Sequence, residues 1–200
     1  MKRFLNPDYQ VDLEYSTPPE WINAVLSDFD QFLIDHADCE RKASSMAMSF
    51  VAKAPDKTEI TSELIDIALE ELNHFKQVYK ILESRGIALP AQMEKDRYMH
   101  ELMKLLRSDS RNRLLDRFLI ASIVETRGAE RFRLVSENIE DLKLKSYYSM
   151  LYKSEEKHGN VFIEMALNYY PENEVMIRLE ELVSEEAKIC ASLPHRPALH

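Results

Sequence analysis

Two short stretches of the sequence place a glutamate three residues before a histidine. One is EELNH, which contains Glu71 and His74, and the other is SEEKH, which contains Glu155 and His158. In a helix, side chains three residues apart lie on the same face, so each pair can present a carboxylate and an imidazole to one metal ion. A single pair of this kind arises easily by chance on the polar face of a glutamate-rich helix. The residues around the two motifs must therefore show whether they form a metal site or the polar faces of two ordinary helices.

Each Glu-x-x-His pair is preceded by one glutamate that shares its pattern. Glu40 precedes Glu71 by 31 residues, and Glu125 precedes Glu155 by 30 residues. At 100° per residue, these four glutamates and the two histidines fall within the apolar stripes of their helices. The chain therefore contains a pair of antiparallel helices with three inward-facing polar residues, and it repeats that pair once.

Burying ionised carboxylates is costly unless a counter-charge is present. Two divalent metal ions would neutralise four glutamates, whereas basic residues are missing from the inward positions of these helices. Carboxylate-rich ligation with one imidazole per metal suits iron or manganese better than structural zinc. Coincidental salt bridges are the alternative interpretation, and the neighbouring Glu70 and Glu156 point away from the stripes. We expect six metal ligands, namely Glu40, Glu71, His74, Glu125, Glu155 and His158.

Four long helices must position these residues. Thr17 is predicted to cap a helix that has Pro18 in its first turn and runs to about Lys53, and a second helix is predicted over 59–85, closed by Gly86. Four long helices with a longer connection in the middle describe an all-α four-helix bundle with a crossover and extra short helices. We expect one domain over residues 1–200, with its bundle core at about 18–170. Further helices are predicted at about 97–107, 108–138, 141–169 and 172–190, followed by a loosely held tail.

The composition limits the function classes. The 200 residues include only 3 glycines and 2 well-separated cysteines, and no stretch has the roughly 20 apolar residues that would span a membrane. The N-terminal segment has no apolar region typical of a secretory signal, so a cytoplasmic location is expected. The net charge of −9 argues mildly against non-specific nucleic-acid coating, although residues 97–133 carry nine basic and five acidic side chains.

Three further residues lie close to the predicted ligands. His36 is four residues before Glu40 on the same face, and it is expected either to support that carboxylate or to be a core histidine. Gly128 and Gly159 interrupt helix interiors, where glycine costs about 1 kcal/mol relative to alanine. Each glycine either makes room beside the ligands or allows two helices to pack closely.

The sequence around the ligands resembles the bacterial MiaE-type tRNA hydroxylases. The similarity covers about residues 18 to 170 and is weakest after about residue 185. The ligand set is also the one known from ferritin-like di-iron proteins. The blocks that carry the resemblance are DHADCERKASSMAMSFVAK (35–53), EELNHFKQVYKIL (70–82), ETRGAERFRLV (125–135) and SEEKH (154–158).

The resemblance implies a ferritin-like enzyme with two iron ions, manganese being the less favoured metal. Such an enzyme uses O₂ and an external electron donor to hydroxylate the terminal carbon of the isopentenyl group of 2-methylthio-N6-isopentenyladenosine, next to the anticodon. The implied partner is the tRNA anticodon stem-loop, and no membrane is involved. Arg127, Arg131 and Arg133 are predicted as RNA contacts, with surface ion pairs as the alternative.

Other functions remain open at this stage. A rubrerythrin-like oxidase or peroxidase would share the metal ligands, although rubrerythrins usually carry a further cysteine-ligated iron domain that two isolated cysteines cannot form. A ferritin-like iron store would need a closed cage of many subunits. A metal-free helical scaffold would need none of the six ligands.

Overall fold

The computed structural model describes residues 10–200, and this part of the chain is organised by helices. None of the helices in that range is both long and apolar enough to cross a membrane. The described residues contain helices and no strand, which confirms the prediction of an all-α chain for this part of the protein. The helices are α1 (Pro19–Ser27), α2 (Phe29–Lys53), α3 (Thr58–Ser84), α4 (Arg97–Met103), α5 (Ser110–Asn138), α6 (Leu142–Leu167) and α7 (Glu172–Ser192).

Aspartate side chains start four of these helices. In each case the carboxylate accepts a hydrogen bond from a backbone N–H of the first turn, which stabilises a helix start by about 0.5–2 kcal/mol. The first of these caps, Asp28, accepts from the N–H of Gln31 and separates α1 from α2. The single helix predicted from Pro18 to Lys53 is therefore wrong. The four capping residues are Asp28, Asp96, Asp109 and Asp141.

Glycine ends α3 as predicted. Gly86 has a φ of 71°, a left-handed conformation that glycine adopts without a steric cost. The N–H of Ile87 then donates to the carbonyl of Leu82, which satisfies one of the last carbonyls of the helix. The other predicted helices agree with the structure to within a few residues, the largest difference being α4, which ends at Met103 instead of residue 107.

The described chain divides into two compact units, so the single-domain prediction stays a prediction. One unit comprises residues 23–95 and 196–199 and contains the helix pair α2–α3. Its core joins the start of α2, through Leu33 and Ala37, to the end of α3, through Val78 and Leu82, so the two helices run antiparallel. Further along the pair, Ser44 Oγ donates to the carbonyl of Ala68 at 2.7 Å.

The C-terminal tail of this unit is packed, which corrects the expectation of a loosely held tail. Ala198 and Leu199 are buried. The N–H of Leu199 donates to the Asp35 carboxylate of α2 at 2.7 Å. Asp35 also lies 3.7 Å from the thiol of Cys39. A carboxylate acceptor for a backbone N–H and two buried apolar side chains hold the last residues in place.

The other unit comprises the described residues 10–22, 96–195 and His200, and it contains the helix pair α5–α6. Phe132 near the end of α5 contacts Tyr148 near the start of α6, with 5.6 Å between ring centroids, so this pair is antiparallel too. Helix α7 is tied to α5 by the fully buried Asp116. Burial alone raises the pKa of this carboxyl, but hydrogen bonds from Arg107 and Arg178 lower it below its usual value.

Candidate metal centre

The α2–α3 pair buries three of the predicted ligands together. Glu40, Glu71 and His74 are each less than 5 % exposed. The Nδ1 atom of His74 lies 3.6 Å from Glu40 Oε2 and 3.5 Å from Glu71 Oε2. Each of the three residues offers a ligand atom within 4.8 Å of those of the other two. The antiparallel packing of α2 and α3 places Glu40 opposite the Glu-x-x-His turn of α3, and we call these three residues the first half-site.

His36 supports the first half-site from one turn away on α2. Its Nε2 atom lies 2.6 Å from Glu40 Oε1, and the ring is fully buried. The imidazole also stacks on Phe32, with 5.9 Å between ring centroids. His36 is thus a core histidine that also contacts the carboxylate of a predicted ligand, a position that agrees with both alternatives left open by the sequence. A hydrogen-bond partner on the outer side of a ligand fixes its orientation.

The α5–α6 pair contains the matching second half-site. Glu125, Glu155 and His158 are all buried. Their ligand atoms lie within 4.8 Å of one another, and His158 Nδ1 is 3.6 Å from Glu155 Oε2. The spacing within the Glu-x-x-His turn of α6 therefore gives nearly the same geometry as in α3.

A close helix contact lies beside the second half-site. Ser122 Oγ of α5 donates to the carbonyl of Gly159 at 2.7 Å, and Thr126 Oγ1 donates to the carbonyl of Ser122 at 2.8 Å. A Cβ atom on Gly159 would lie 2.7 Å from Thr126 Oγ1, a distance that such atoms do not tolerate. The close-packing interpretation of Gly159 therefore agrees with the structure.

The donor set in both half-sites fits a divalent metal ion. Each half-site buries two carboxylates and one imidazole, and a single divalent cation would neutralise the two carboxylates. Burying the charges without such a cation would cost several kcal/mol. Oxygen-rich ligation with one nitrogen suits iron or manganese. The neighbouring Glu70 and Glu156 are only partly buried, as their predicted orientation requires, and Glu156 accepts a hydrogen bond from Tyr152 at 3.3 Å.

The prediction of Arg127 as an RNA contact is wrong, because this side chain is completely buried. Its guanidinium donates two hydrogen bonds to Glu186, at 2.8 and 2.9 Å, and a third to Glu130. Burial by itself lowers the pKa of Arg127, but the hydrogen bonds to Glu186 outweigh it and raise the pKa above its ordinary value. A buried arginine needs a buried acid as its partner. For Arg127 this acid is Glu186, which lies 59 residues further along the chain.

The other two arginines differ from each other. Arg131 is 7 % exposed and lies over the Trp21 ring at 5.2 Å, so its prediction as an RNA contact is also wrong. Arg133 has 43 % of its side chain exposed and donates to Glu137 at 2.9 Å, which leaves its role in RNA binding a prediction. It also borders a polar cavity of about 240 Å³, together with Tyr152 and Asn160.

Sequence reasoning missed the buried cluster around Glu186. Tyr98 Oη donates to this carboxylate at 3.0 Å, and Cys190 Sγ donates at 3.1 Å. Burial and the adjacent Glu186 raise the pKa of the Cys190 thiol to about 12, so it is not a nucleophile. The members of this cluster come from α4, α5 and α7, and no local spacing in the sequence points to them.

Comparison with known proteins gives a consistent result. The sequence model of the family described as tRNA-(MS[2]IO[6]A)-hydroxylase (MiaE) matches residues 4–200. A tRNA 2-(methylsulfanyl)-N(6)-isopentenyladenosine(37) hydroxylase of Pseudomonas putida is 31% identical over 188 residues, which cover 94% of this chain and 91% of that protein. A protein of the same name from Salmonella typhimurium is 25% identical over 108 residues, 54% of this chain and 39% of its own length.

A solved structure resembles most of the chain. It is Protein 43 with aldehyde deformylating oxygenase activity from Synechococcus, with a TM-score of 0.89, 31% identity and 94% of both chains covered. This likeness confirms the predicted fold class, an all-α ferritin-like bundle. The match of the family model over residues 4–200 and the 31% identity to the Pseudomonas putida protein show that the chain belongs to the MiaE family of tRNA hydroxylases.

Proposed function

We propose that this chain hydroxylates the isopentenyl group of 2-methylthio-N6-isopentenyladenosine next to the anticodon of tRNA, using two iron ions and O₂. Membership of the tRNA hydroxylase family supports the reaction and the substrate class. The observation that carries the proposal is the pair of buried half-sites, each with two carboxylates and one imidazole within 4.8 Å. A cytoplasmic location is part of the proposal, because tRNA is the substrate.

The two half-sites are proposed to form one dinuclear centre. Two divalent ions would balance the four glutamates, and each ion would receive one imidazole. The repeat of a lone glutamate and a Glu-x-x-His turn at spacings of 31 and 30 residues supports equal roles for the two helix pairs. Ferritin-like proteins with this ligand set hold two metal ions in the bundle core. The proposed ligands are Glu40, Glu71, His74, Glu125, Glu155 and His158.

When bound, the iron ions supply the electrons and the Lewis acidity needed to activate O₂. One oxygen atom enters a C–H bond of the substrate, and the other leaves as water after an external donor has supplied two electrons and two protons. The chain's own part is to fix the ligand carboxylates and to keep water away from them. His36 holds Glu40 through its 2.6 Å contact, and burial of all six ligands excludes bulk water.

The tRNA anticodon stem-loop is the proposed partner, and an unidentified electron donor is a second one. Arg133 remains a proposed phosphate contact, because nearly half of its side chain is exposed. Arg113 is exposed as well and lies on the same helix. Both belong to the basic segment 97–133, and contacts of this kind fix RNA position without reading sequence.

The decisive experiment is mass spectrometry of tRNA nucleosides from cells with and without the gene. In the deletion strain, we expect the hydroxylated nucleoside to disappear and the isopentenyl precursor to accumulate. Wild-type protein supplied from a plasmid should restore the hydroxylated form, whereas the Glu71→Ala variant should not. Persistence of the hydroxylated nucleoside in the deletion strain would show that the proposed substrate is wrong.

Metal analysis and solution size address the remaining alternatives. Protein purified without chelator is expected to contain about two iron ions per chain. Less than one iron or manganese ion per chain would favour the metal-free scaffold. A closed cage of many subunits in solution would instead favour iron storage.

A second candidate reaction is aldehyde deformylation. It is favoured by the resemblance to the Synechococcus protein, whose identity of 31% equals that of the Pseudomonas relative. Incubation of the iron-loaded protein with an aldehyde, O₂ and a reductant would reveal this activity as release of the shortened hydrocarbon. We expect none, because the family model matches the tRNA hydroxylases over nearly the full chain.

A further inference from the structure

Two glycines lie inside the helices of the α5–α6 pair, where they lower helix stability relative to alanine. Gly159 follows the ligand His158 directly, and Gly128 is three residues after the ligand Glu125. Neither has the positive φ that explains Gly86. A packing reason is therefore needed for each.

The close contact between α5 and α6 explains Gly159, because a Cβ atom there would collide with Thr126 Oγ1 at 2.7 Å and approach the carbonyl of Ser122 at 3.3 Å. Gly128 is different. It is buried, yet a Cβ atom at this position would meet no heavy atom of the described residues within 4 Å, apart from its chain neighbours and the backbone of its own helix. Protein interiors are normally close-packed, so open space at a buried helix position is unusual.

The open space lies on the ligand-bearing face of α5. Gly128 is one helical turn after Glu125, and the fully buried Ala121 is one turn before it. The carboxylate therefore stands between two positions with little or no side chain. If the space served no purpose, alanine at this position would stabilise the protein, because it fills space and favours the helix.

We propose that the space beside Gly128 receives the isopentenyl group of the substrate nucleoside. This inference rests on the proposed function and adds the element of the chain that admits the reacting carbon. The isopentenyl group is a branched hydrocarbon about as large as a leucine side chain, so it needs an apolar space beside the ligands. A glycine next to Glu125 provides that space at the point where a hydrocarbon must lie to be oxidised.

The test fills the space in steps with Gly128→Ala, Gly128→Val and Gly128→Leu. Binding is measured on the iron-loaded protein without O₂ or a reductant, so that no turnover occurs, with two anticodon stem-loops that differ only in the isopentenyl group. Wild-type protein is expected to bind the isopentenylated RNA more tightly than its unmodified control. Gly128→Leu should bind both RNAs with the affinity that the wild type has for the unmodified one, because only the hydrocarbon loses its space.

Hydroxylation by the iron-loaded variants gives the second readout. The kcat/KM should fall progressively from alanine to leucine, by about tenfold or more for valine. The melting temperature of Gly128→Ala should equal or exceed that of the wild type, since its Cβ meets no neighbour. This variant keeps the test decisive if the leucine variant fails to fold.

Two results would overturn the inference. The first is a Gly128→Leu variant that retains the wild-type preference for the isopentenylated RNA. The second is a complete series that folds and hydroxylates as fast as the wild type. In both cases the wild type still hydroxylates, and the proposed function survives. A wild-type protein that hydroxylates no isopentenylated RNA would overturn the proposed function and this inference together.

Discussion

The helix pairs α2–α3 and α5–α6 carry the same ligands in different surroundings. Three residues after the first glutamate, the α2–α3 pair has Ala43 where the α5–α6 pair has Gly128. Four residues after the second glutamate, it has Phe75, which packs on the core, where the other pair has Gly159. His36 of α2 has Ala121 as its counterpart in α5.

This difference separates two requirements of the site. In the proposed metal centre, the ligands repeat because each half-site would balance the charge of one metal ion. The positions around them do not repeat, because one pair supports a ligand through a buried imidazole and the other provides close helix packing and open space. The comparison predicts that ligand substitutions act alike in the two pairs, whereas substitutions around the ligands do not.

The largest effect is expected from removing equivalent ligands. Glu71→Ala and Glu155→Ala should each abolish hydroxylation and release metal, because both leave a buried half-site with one carboxylate too few. Metal content by elemental analysis and product formation are the measurements. Glu70→Ala and Glu156→Ala are the matched controls and should retain both. A Glu155→Ala variant with full metal content would contradict the equivalence of the two pairs.

Breaking the buried ion pair of α5 should have the next largest effect. Arg127→Met leaves the fully buried Glu186 without its cation, so the free energy of unfolding should fall by about 3–5 kcal/mol. In α2 the contrasting change is Arg41→Met, which removes a half-exposed arginine from the buried Asp38 while Lys42 remains paired with that carboxylate, and it should cost about 0–1 kcal/mol. Urea denaturation measures both. Equal losses in the free energy of unfolding would contradict the expected difference between the buried ion pair of Arg127 and the partly exposed ion pair of Arg41.

The support of Glu40 by His36 is expected to matter for metal affinity. His36→Ala removes the 2.6 Å contact and should weaken metal binding about 10–100-fold, measured by competition with a chelator. His36→Gln keeps a polar donor on α2 and should recover part of the affinity. If both variants bind metal like the wild type, His36 acts only through packing.

The helix contact at Gly159 gives a smaller effect on stability. Gly159→Ala should lower the free energy of unfolding by about 1–3 kcal/mol, since its Cβ would overlap Thr126 Oγ1. The double variant Gly159→Ala/Thr126→Ala should recover part of that loss in the same urea titration. Gly128→Ala is the matched control on α5 and should cost nothing. A loss that is equal at both glycines would contradict the difference between them.

The smallest effect concerns the exposed Arg133. Arg133→Ala should weaken anticodon stem-loop binding only a few-fold and should lower the slope of log affinity against log salt by about 1. Filter binding at several salt concentrations measures the slope. Glu137→Ala frees the guanidinium from its ion pair and should not weaken binding. An unchanged slope for Arg133→Ala would remove this residue from the RNA surface.

Much of the site was predictable because it depends on short-range geometry. The position of Glu71 relative to His74 follows from three residues of helix, and the close of α3 at Gly86 follows from one residue with positive φ. The apolar periodicity of four helices was enough to place all six predicted ligands on buried faces, and each of these residues is buried.

The error at Arg127 has the opposite origin, since it depends on a partner distant in the sequence. Arg127 was expected at the surface because a charged residue is normally exposed. Its partner Glu186 lies on another helix, 59 residues away. The missed break between α1 and α2 has a local cause: the Asp28 carboxylate accepts a hydrogen bond from the N–H of Gln31, which a hydrophobic pattern does not reveal. The open space beside Gly128 depends on what surrounds α5, so the sequence left it undecided.

The hydrogen bond between Leu199 and Asp35 has a consequence for the order of folding. It joins residues 164 positions apart, so the unit that contains the first half-site is completed by residues that are synthesised long after α2 and α3. Helices α2 and α3 are close in sequence and can pair early, whereas contacts of long sequence separation form late. During synthesis, the surface at the start of α2 that Ala198 and Leu199 later cover therefore stays exposed until these residues have been made.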